Sequence, residues 1–227
     1  MRPWATLTIT GILAVLSLAA TIPATSPASN EDELLRNATL VFEHAVEPPA
    51  AAIPASVLSR ATAIAVIPAA VRDGERLYGN GVVSARGGRV DGWTPPAVIA
   101  FEGAIRLGLE TGTADLILVA QTQRGLDYFL QGRAQGTTTE VIAAGPLGHD
   151  TAVRTKADLF AYMKFGQYFA GITIEDCALH DVTASNEVLY GRAYSTDDIV
   201  RGAGFFHNRG AIRLWRDALA AYFREMS

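Results

Sequence analysis

The sequence predicts an α+β fold: a curved, mostly antiparallel, barrel-like sheet of about eight strands with helices at the N- and C-terminal ends. Three observations carry that expectation. From Ala97 onward, Ile99, Phe101, Ile105, Leu107 and Leu109 lie on one parity while Glu102, Arg106 and Glu110 lie on the other, the period of a half-buried strand. Short apolar runs such as residues 61–67 and 116–120 are bounded by Gly, Pro or Thr, a length that suits buried strands joined by tight turns. Helical periodicity is confined mainly to the two ends of the chain.

Taken in order, residues 1–28 have the layout of a secretory signal peptide. Arg2 gives a basic start, residues 5–20 are apolar, and small residues follow, with cleavage sites after Ala20, Ala24 or Ala28. The apolar run of about 16 residues falls short of the roughly 20 that cross a bilayer. No cysteine follows it, which excludes a lipid-modified amino terminus. The expected localisation is periplasmic or secreted.

Residues 29–60 form a helical lead-in. Asn30, Glu31, Asp32 and Glu33 precede Leu34, Leu35, Ala38, Leu40, Val41 and Phe42, so carboxylates occupy the first turn, where the helix dipole favours them. Pro48-Pro49 stops this helix, and a shorter one is expected over residues 55–60. The main domain is expected over residues 61–227, beginning with a strand ended by Pro68. A strand over residues 77–85 contains Gly79 and Gly81, and Gly87-Gly88 turns it into residues 89–93.

After residues 97–109 a turn is expected at Thr111-Gly112-Thr113, then the buried strand 116–120 and a short helix over 123–130. Strands follow at 137–144, 151–156 and 160–164, and a long one over 168–182. Ile172 and Ile174 share one parity there and Cys177 and Leu179 the other, which places a bulge or bend at Glu175-Asp176. Residues 210–225 close the chain as an amphipathic helix, with Ile212, Trp215, Leu219, Tyr222, Phe223 and Met226 on one face and Arg209, Arg213, Arg216 and Arg224 on its flank.

Composition narrows the function classes. Net charge is −4, yet residues 201–227 carry +3 and residues 3–200 carry −8, a balance that argues against nucleic-acid binding. The single Cys177 permits no internal disulfide and reads as a buried, inert thiol. His44, His149, His180 and His207 have no partner at metal-ligand spacing, and neither HExxH, CxxC nor GxSxG occurs. His149-Asp150 and His180-Asp181 are adjacent pairs, and strand neighbours point to opposite faces. No enzyme, cofactor or metal is expected. The remaining chemistry is aromatic and basic: Lys164, Phe165 and Tyr168 cluster at a turn marked by Gly166, and Phe205 and Phe206 precede the arginine-flanked helix. Such a rim suits a bilayer surface, with aromatics at the interface and arginines on phosphates.

The order of motifs supplies a further reading. Residues 61–68 (ATAIAVIP), 79–84 (GNGVVS), Trp93-Thr94-Pro95-Pro96, the alternating block from Ala97, and residues 144–148 (AGPLG) come in sequence. Residues 160–162 (FAY), 168–175 (YFAGITIE), 186–191 (NEVLYG) and the closing helix follow. Across residues 55–223 this resembles the SYLF lipid-binding domain family, whose eukaryotic members include actin-patch proteins. The resemblance implies phosphoinositide or other anionic-lipid binding in eukaryotic relatives, exported proteins in bacteria, and a SYLF-type domain over residues 61–227. The chain departs from it in a less glycine-rich 79–84 and in Glu175-Asp176, where members commonly carry Glu-Gly.

The expected function is therefore a non-enzymatic exported protein that binds anionic phospholipid or a membrane surface, with Arg209, Arg213, Arg216, Arg224, Lys164, Phe165 and Tyr168 as the contacting residues. The alternatives are a structural or protein-interaction module of the envelope that never touches lipid, its protein partner unknown, and a carrier with an enclosed apolar cavity.

Overall fold

The computed structural model describes residues 29–47, 53–87, 92–108, 111–131, 143–145, 157–201 and 210–225. The expected signal peptide, residues 137–142 of the expected strand 137–144 and the expected strand 151–156 lie outside the described residues, as do Arg89 to Asp91 of the expected strand 89–93.

Helix α1 (Asn30–Val46) begins where the sequence places it. Ser29 caps it by accepting from the Asp32 amide at 3.3 Å, and Glu31, Asp32 and Glu33 fill the first turn. Leu35, Ala38, Phe42 and Ala45 recur at helical spacing and are fully buried. The one-turn helix α2 (Ala55–Leu58) leads into β1 (Ala63–Asp73), β2 (Arg76–Ala85), β3 (Ala97–Ala104) and β4 (Gly112–Ala120). Helix α3 (Gln123–Gln131) follows, then β5 (Ala143–Ala144), β6 (Leu159–Phe165), β7 (Tyr168–Gly171) and β8 (Glu175–Asp181). Helices α4 (Thr183–Tyr190), α5 (Thr196–Val200) and α6 (Gly210–Glu225) complete the described chain.

The strand order is β5-β6-β4-β1-β2-β3-β8, with β7 paired to β6, and every pairing except β5–β6 is antiparallel. Three residues, Ile172 to Ile174, carry the chain from β7 at one end of this order to β8 at the other. Four Cα–Cα steps span at most about 15 Å, so the two ends of the sheet must approach each other. That forces the curl expected of a half-barrel. Inside the curl, β1, β4 and β6 are buried on both faces over Ala63–Ile67, Leu116–Ala120 and Leu159–Met163. Helix α1 packs on β1 and β2 and against α6. Phe42 meets Trp215 edge-on at 6.0 Å and Tyr222 at 6.2 Å, and the Trp215 indole N–H donates to Ser84 Oγ at 2.9 Å inside the core.

Four local expectations need correction. Pro68 does not end β1. It sits in a bulge where the register shifts against both neighbours, Val66/Val71 facing β2 and Ile67/Ala70 facing β4. A proline has no N–H for the ladder; Ala69 adopts φ +48° and gives its own N–H to Asp115 Oδ1 at 3.0 Å. The bulge folds β1 across β2, where a Cβ on Gly81 would collide with the Val66 carbonyl and one on Gly79 would lie 3.1 Å from Ile67 Cγ2. The two glycines of GNGVVS serve that close approach.

Gly112 and Thr113 are strand rather than turn. β3 stops at Ala104, Ile105 turns its N–H to Glu75 O at 2.7 Å, Gly108 supplies φ +58°, and Leu107 is 48% exposed. The predicted strand 168–182 is two strands on different partners. Its bend is nevertheless where the parity flip placed it: Asp176 has φ +49°, a left-handed conformation that glycine adopts without cost. Finally, α4 and α5 were not expected. Gly191 ends α4 at φ +73°, and Ser195 with Asp198 forms a capping box on α5.

Candidate functional site

The motifs that carry the family resemblance bind one another. Thr94 exchanges two hydrogen bonds with Ala85, Oγ1 accepting from its amide at 3.0 Å and the Thr94 amide donating to its carbonyl at 2.9 Å. Asn186, fully buried on α4, accepts from the Val98 amide at 2.8 Å and donates to Tyr194 O at 3.1 Å. The Tyr190 hydroxyl donates to Pro96 O. Thus α4 clamps the entry of β3, and these residues build scaffold.

The expected contact residues separate into two groups. Arg213 is exposed on α6 beside Leu214, which is 49% exposed, whereas Arg216 is half-buried on the side of α6 that faces Tyr190. Arg209, Phe205, Phe206 and Met226, as well as the Arg224 side chain, lie outside what is described. Lys164, Phe165 and Tyr168 share the β6–β7 hairpin. Lys164 is mostly buried and pairs with Asp115 at 3.7 Å, Phe165 packs on the core, and Tyr168 is 77% exposed. Helix α1 stands between the groups, its Phe42 against α6 and its His44 against Gln167 and Phe169 of the hairpin.

Electrostatics distinguish the two ends. Near the hairpin, α1 presents Glu43 and Glu47, and burial together with the Glu47 charge raises the Glu43 pKa. At the opposite end of β1 and β2 the chemistry is cationic. Arg86 lies in a position the sequence did not single out, because its neighbours come from distant segments. Its guanidinium stacks 4.4 Å from the Phe223 ring centre and 5.3 Å from that of Trp93, and the two rings are 4.9 Å apart. Arg86 Nε donates to Ala61 O at 3.0 Å and Nη2 to Leu58 O at 3.3 Å. Burial lowers its pKa. Arg60, exposed, lies between those two carbonyls in the chain. Among the described residues no carboxylate comes within 4 Å of Arg60, Arg86 or Arg213, whereas Arg106, Arg124 and Arg201 are paired with Glu175, Asp158 and Asp197.

Reactive groups are dispersed. Cys177 is buried, and His180 faces Glu102 at 3.5 Å while the adjacent Asp181 accepts from the Thr196 amide. His149 and His207 lie outside the described residues. Among the described residues no three His, Cys, Asp or Glu side chains converge as a metal site would, and no helix is long and apolar enough to cross a membrane.

Comparison with known proteins matches residues 103–222 to the family model described as "Ysc84: Las17-binding protein actin regulator". SH3 domain-containing YSC84-like protein 1 of Xenopus laevis is 32% identical over 162 residues, 65% of this chain and 45% of its own length. The Homo sapiens protein of that name is 29% identical over 164 residues, 66% of this chain and 46% of its length. LAS seventeen-binding protein 3 of Saccharomyces cerevisiae is 30% identical over 168 residues, 66% of this chain and 35% of its length. The chain thus spans less than half the length of these curated relatives; the family description and the yeast relative's name are those of a Las17-binding protein. No solved structure matches. The chain belongs to the Ysc84 family, which carries the SYLF domain.

Proposed function

We propose that this chain is a non-enzymatic binding module that is exported through residues 1–28 and attaches peripherally to anionic phospholipid. The observation that carries the reading is the division of labour on α6. Its apolar face, Ile212, Trp215 and Leu219, is consumed by the core, while Arg213 and Leu214 stand outward with no carboxylate within 4 Å of the arginine among the described residues. A cation beside a partly exposed leucine suits shallow contact with headgroups, each arginine contributing about 1 kcal/mol near an anionic surface.

Flotation of the protein with vesicles tests this. Association is expected with phosphatidylcholine–phosphatidylglycerol vesicles and not with phosphatidylcholine alone, and Arg213→Ala should weaken it about fivefold. Equal association with both vesicles overturns the electrostatic account. A protein-interaction reading is favoured at the other end of the sheet. Tyr168 and Leu40 (64% exposed) flank His44 beside Glu43 and Glu47, an apolar surface with an acidic rim that an anionic bilayer would repel.

A further inference from the structure

We propose that Arg86, with Arg60 beside it, is a phosphate seat: the residue that fixes a phosphomonoester or phosphodiester group when the protein meets a lipid surface. The inference rests on the membrane reading above and deepens it, because it moves the specific contact from α6 to the end of β2.

A guanidinium carries five N–H groups. Arg86 spends its side edge, Nε and Nη2, on the carbonyls of Ala61 and Leu58. The end fork, formed by Nη1 and the second Nη2 proton, has no partner among the described residues, and a planar fork matches two oxygens of a phosphate. The carbonyls and the Trp93 and Phe223 rings hold the group in one orientation, so little side-chain freedom remains to be lost on binding.

Charge supplies the second step. Arg106, Arg124 and Arg201 pair with carboxylates, whereas Arg86, exposed at its outer edge and stacked on the Trp93 and Phe223 rings, has no carboxylate within 4 Å among the described residues, as is also true of Arg36, Arg72, Arg76 and Arg192. A pin that merely tied α2 to the sheet would not need a positive charge, and what sets Arg86 apart from the other unpaired arginines is that two carbonyls and two rings fix its guanidinium. Arg60, exposed and with no carboxylate within 4 Å among the described residues, adds a second cation adjacent to Ala61 in the chain. The aromatic pair beside the guanidinium supplies the apolar surface on which the stem of a lipid could rest.

The test follows the Arg86 Nε–H and Trp93 indole N–H by NMR in the intact chain during titration with inorganic phosphate and with short-chain phosphatidic acid. Vesicle flotation of Arg86→Gln, Arg86→Lys and Arg213→Ala runs alongside. Both signals are expected to shift and saturate. Tighter saturation by the soluble lipid assigns the seat to lipid, and equal saturation assigns it to phosphate from either source. Arg86→Gln should lose about tenfold or more in association with phosphatidic-acid vesicles, and Arg86→Lys, charged but without a fork, should recover only part of it. Arg213→Ala should leave the Arg86 titration unchanged. Silent NMR signals, or Arg86→Gln binding within about twofold of the native chain, overturn the seat even where anionic vesicles still bind. If Arg86→Gln fails to fold, the titration of the native chain decides. Shifts with phosphate but no vesicle association uphold the seat and remove the membrane reading.

Discussion

Replacing Asn186 by Ala tests the claim that the motif residues are scaffold. The amide is fully buried; its Oδ1 accepts from the Val98 N–H at 2.8 Å and its Nδ2 donates to Tyr194 O at 3.1 Å. β8 pairs with β3 only as far as Asp181 opposite Ile99, so Asn186 supplies the acceptor for the next outward-facing amide of β3. Alanine would leave the Val98 N–H buried and unpaired, at about 1–3 kcal/mol, and the partly buried Tyr194 carbonyl short of a donor at about 1 kcal/mol. The sum is about 3 kcal/mol. With a urea slope of about 2 kcal/mol per molar, the midpoint should fall by about 1.5 M. The neighbouring Glu187 is exposed, and Glu187→Ala should change stability by less than about 0.5 kcal/mol. Asn186→Asp separates the two bonds, since it keeps the acceptor and loses the donor. Burial raises the pKa of the new carboxyl in the folded state, so its deficit should shrink as pH falls and grow as pH rises through that value. A midpoint for Asn186→Ala equal to that of Glu187→Ala would refute the reasoning.

Two further predictions use the same denaturation assay. Asp176 holds φ +49°, so Asp176→Gly should stabilise the chain by about 0.5–1 kcal/mol and Asp176→Val should destabilise it by more than 1 kcal/mol; a neutral valine variant would contradict the left-handed assignment. Burial raises the pKa of Tyr162 and Tyr190 far above that of a free phenol. Folding favours their neutral forms, so their contribution is complete below about pH 10, the unfolded value, and is lost as pH rises above it. Of the seven tyrosines, these two should ionise only as the protein unfolds in an absorbance titration, and early ionisation of either counts against its burial.

What was legible in the sequence was local. The acidic first turn and apolar stripe of α1, the face of α6, and the runs that become β1, β4 and β6 are patterns within a dozen residues, and each element formed there. The errors sit where a distant partner decides. Pro68 reads as a stop until Asp115, on the neighbouring strand β4 and distant in sequence, receives the Ala69 amide and lets β1 continue. Residues 168–182 read as one strand because no local signal says that its two halves join opposite ends of the sheet. Helices α4 and α5 do carry local signals, since Gly191 and the Ser195–Asp198 box are cap patterns readable in the sequence. The site followed the same rule. Lys164 looked available until Asp115 paired with it, and Arg86 looked ordinary until Phe223, from the far end of the chain, stacked on its guanidinium.

This pattern bears on what family membership can mean for binding. Gly81, Thr94, Pro96, Asn186, Tyr190 and Gly191 meet backbone, one another or a turn that needs glycine, and each contact holds the curl of the sheet or the clamp on β3. A chain that shares those residues shares the scaffold, whatever it binds. Ligand choice must then reside in side chains the scaffold does not consume. Among the described residues several surface cations have no carboxylate within 4 Å, Arg36, Arg76 and Arg192 as well as Arg60, Arg86 and Arg213; the last three belong to the surfaces proposed above and meet that condition, whereas Lys164 does not. Two relatives with identical motifs but different residues at positions 60, 86 and 213 should therefore share a fold and differ in ligand.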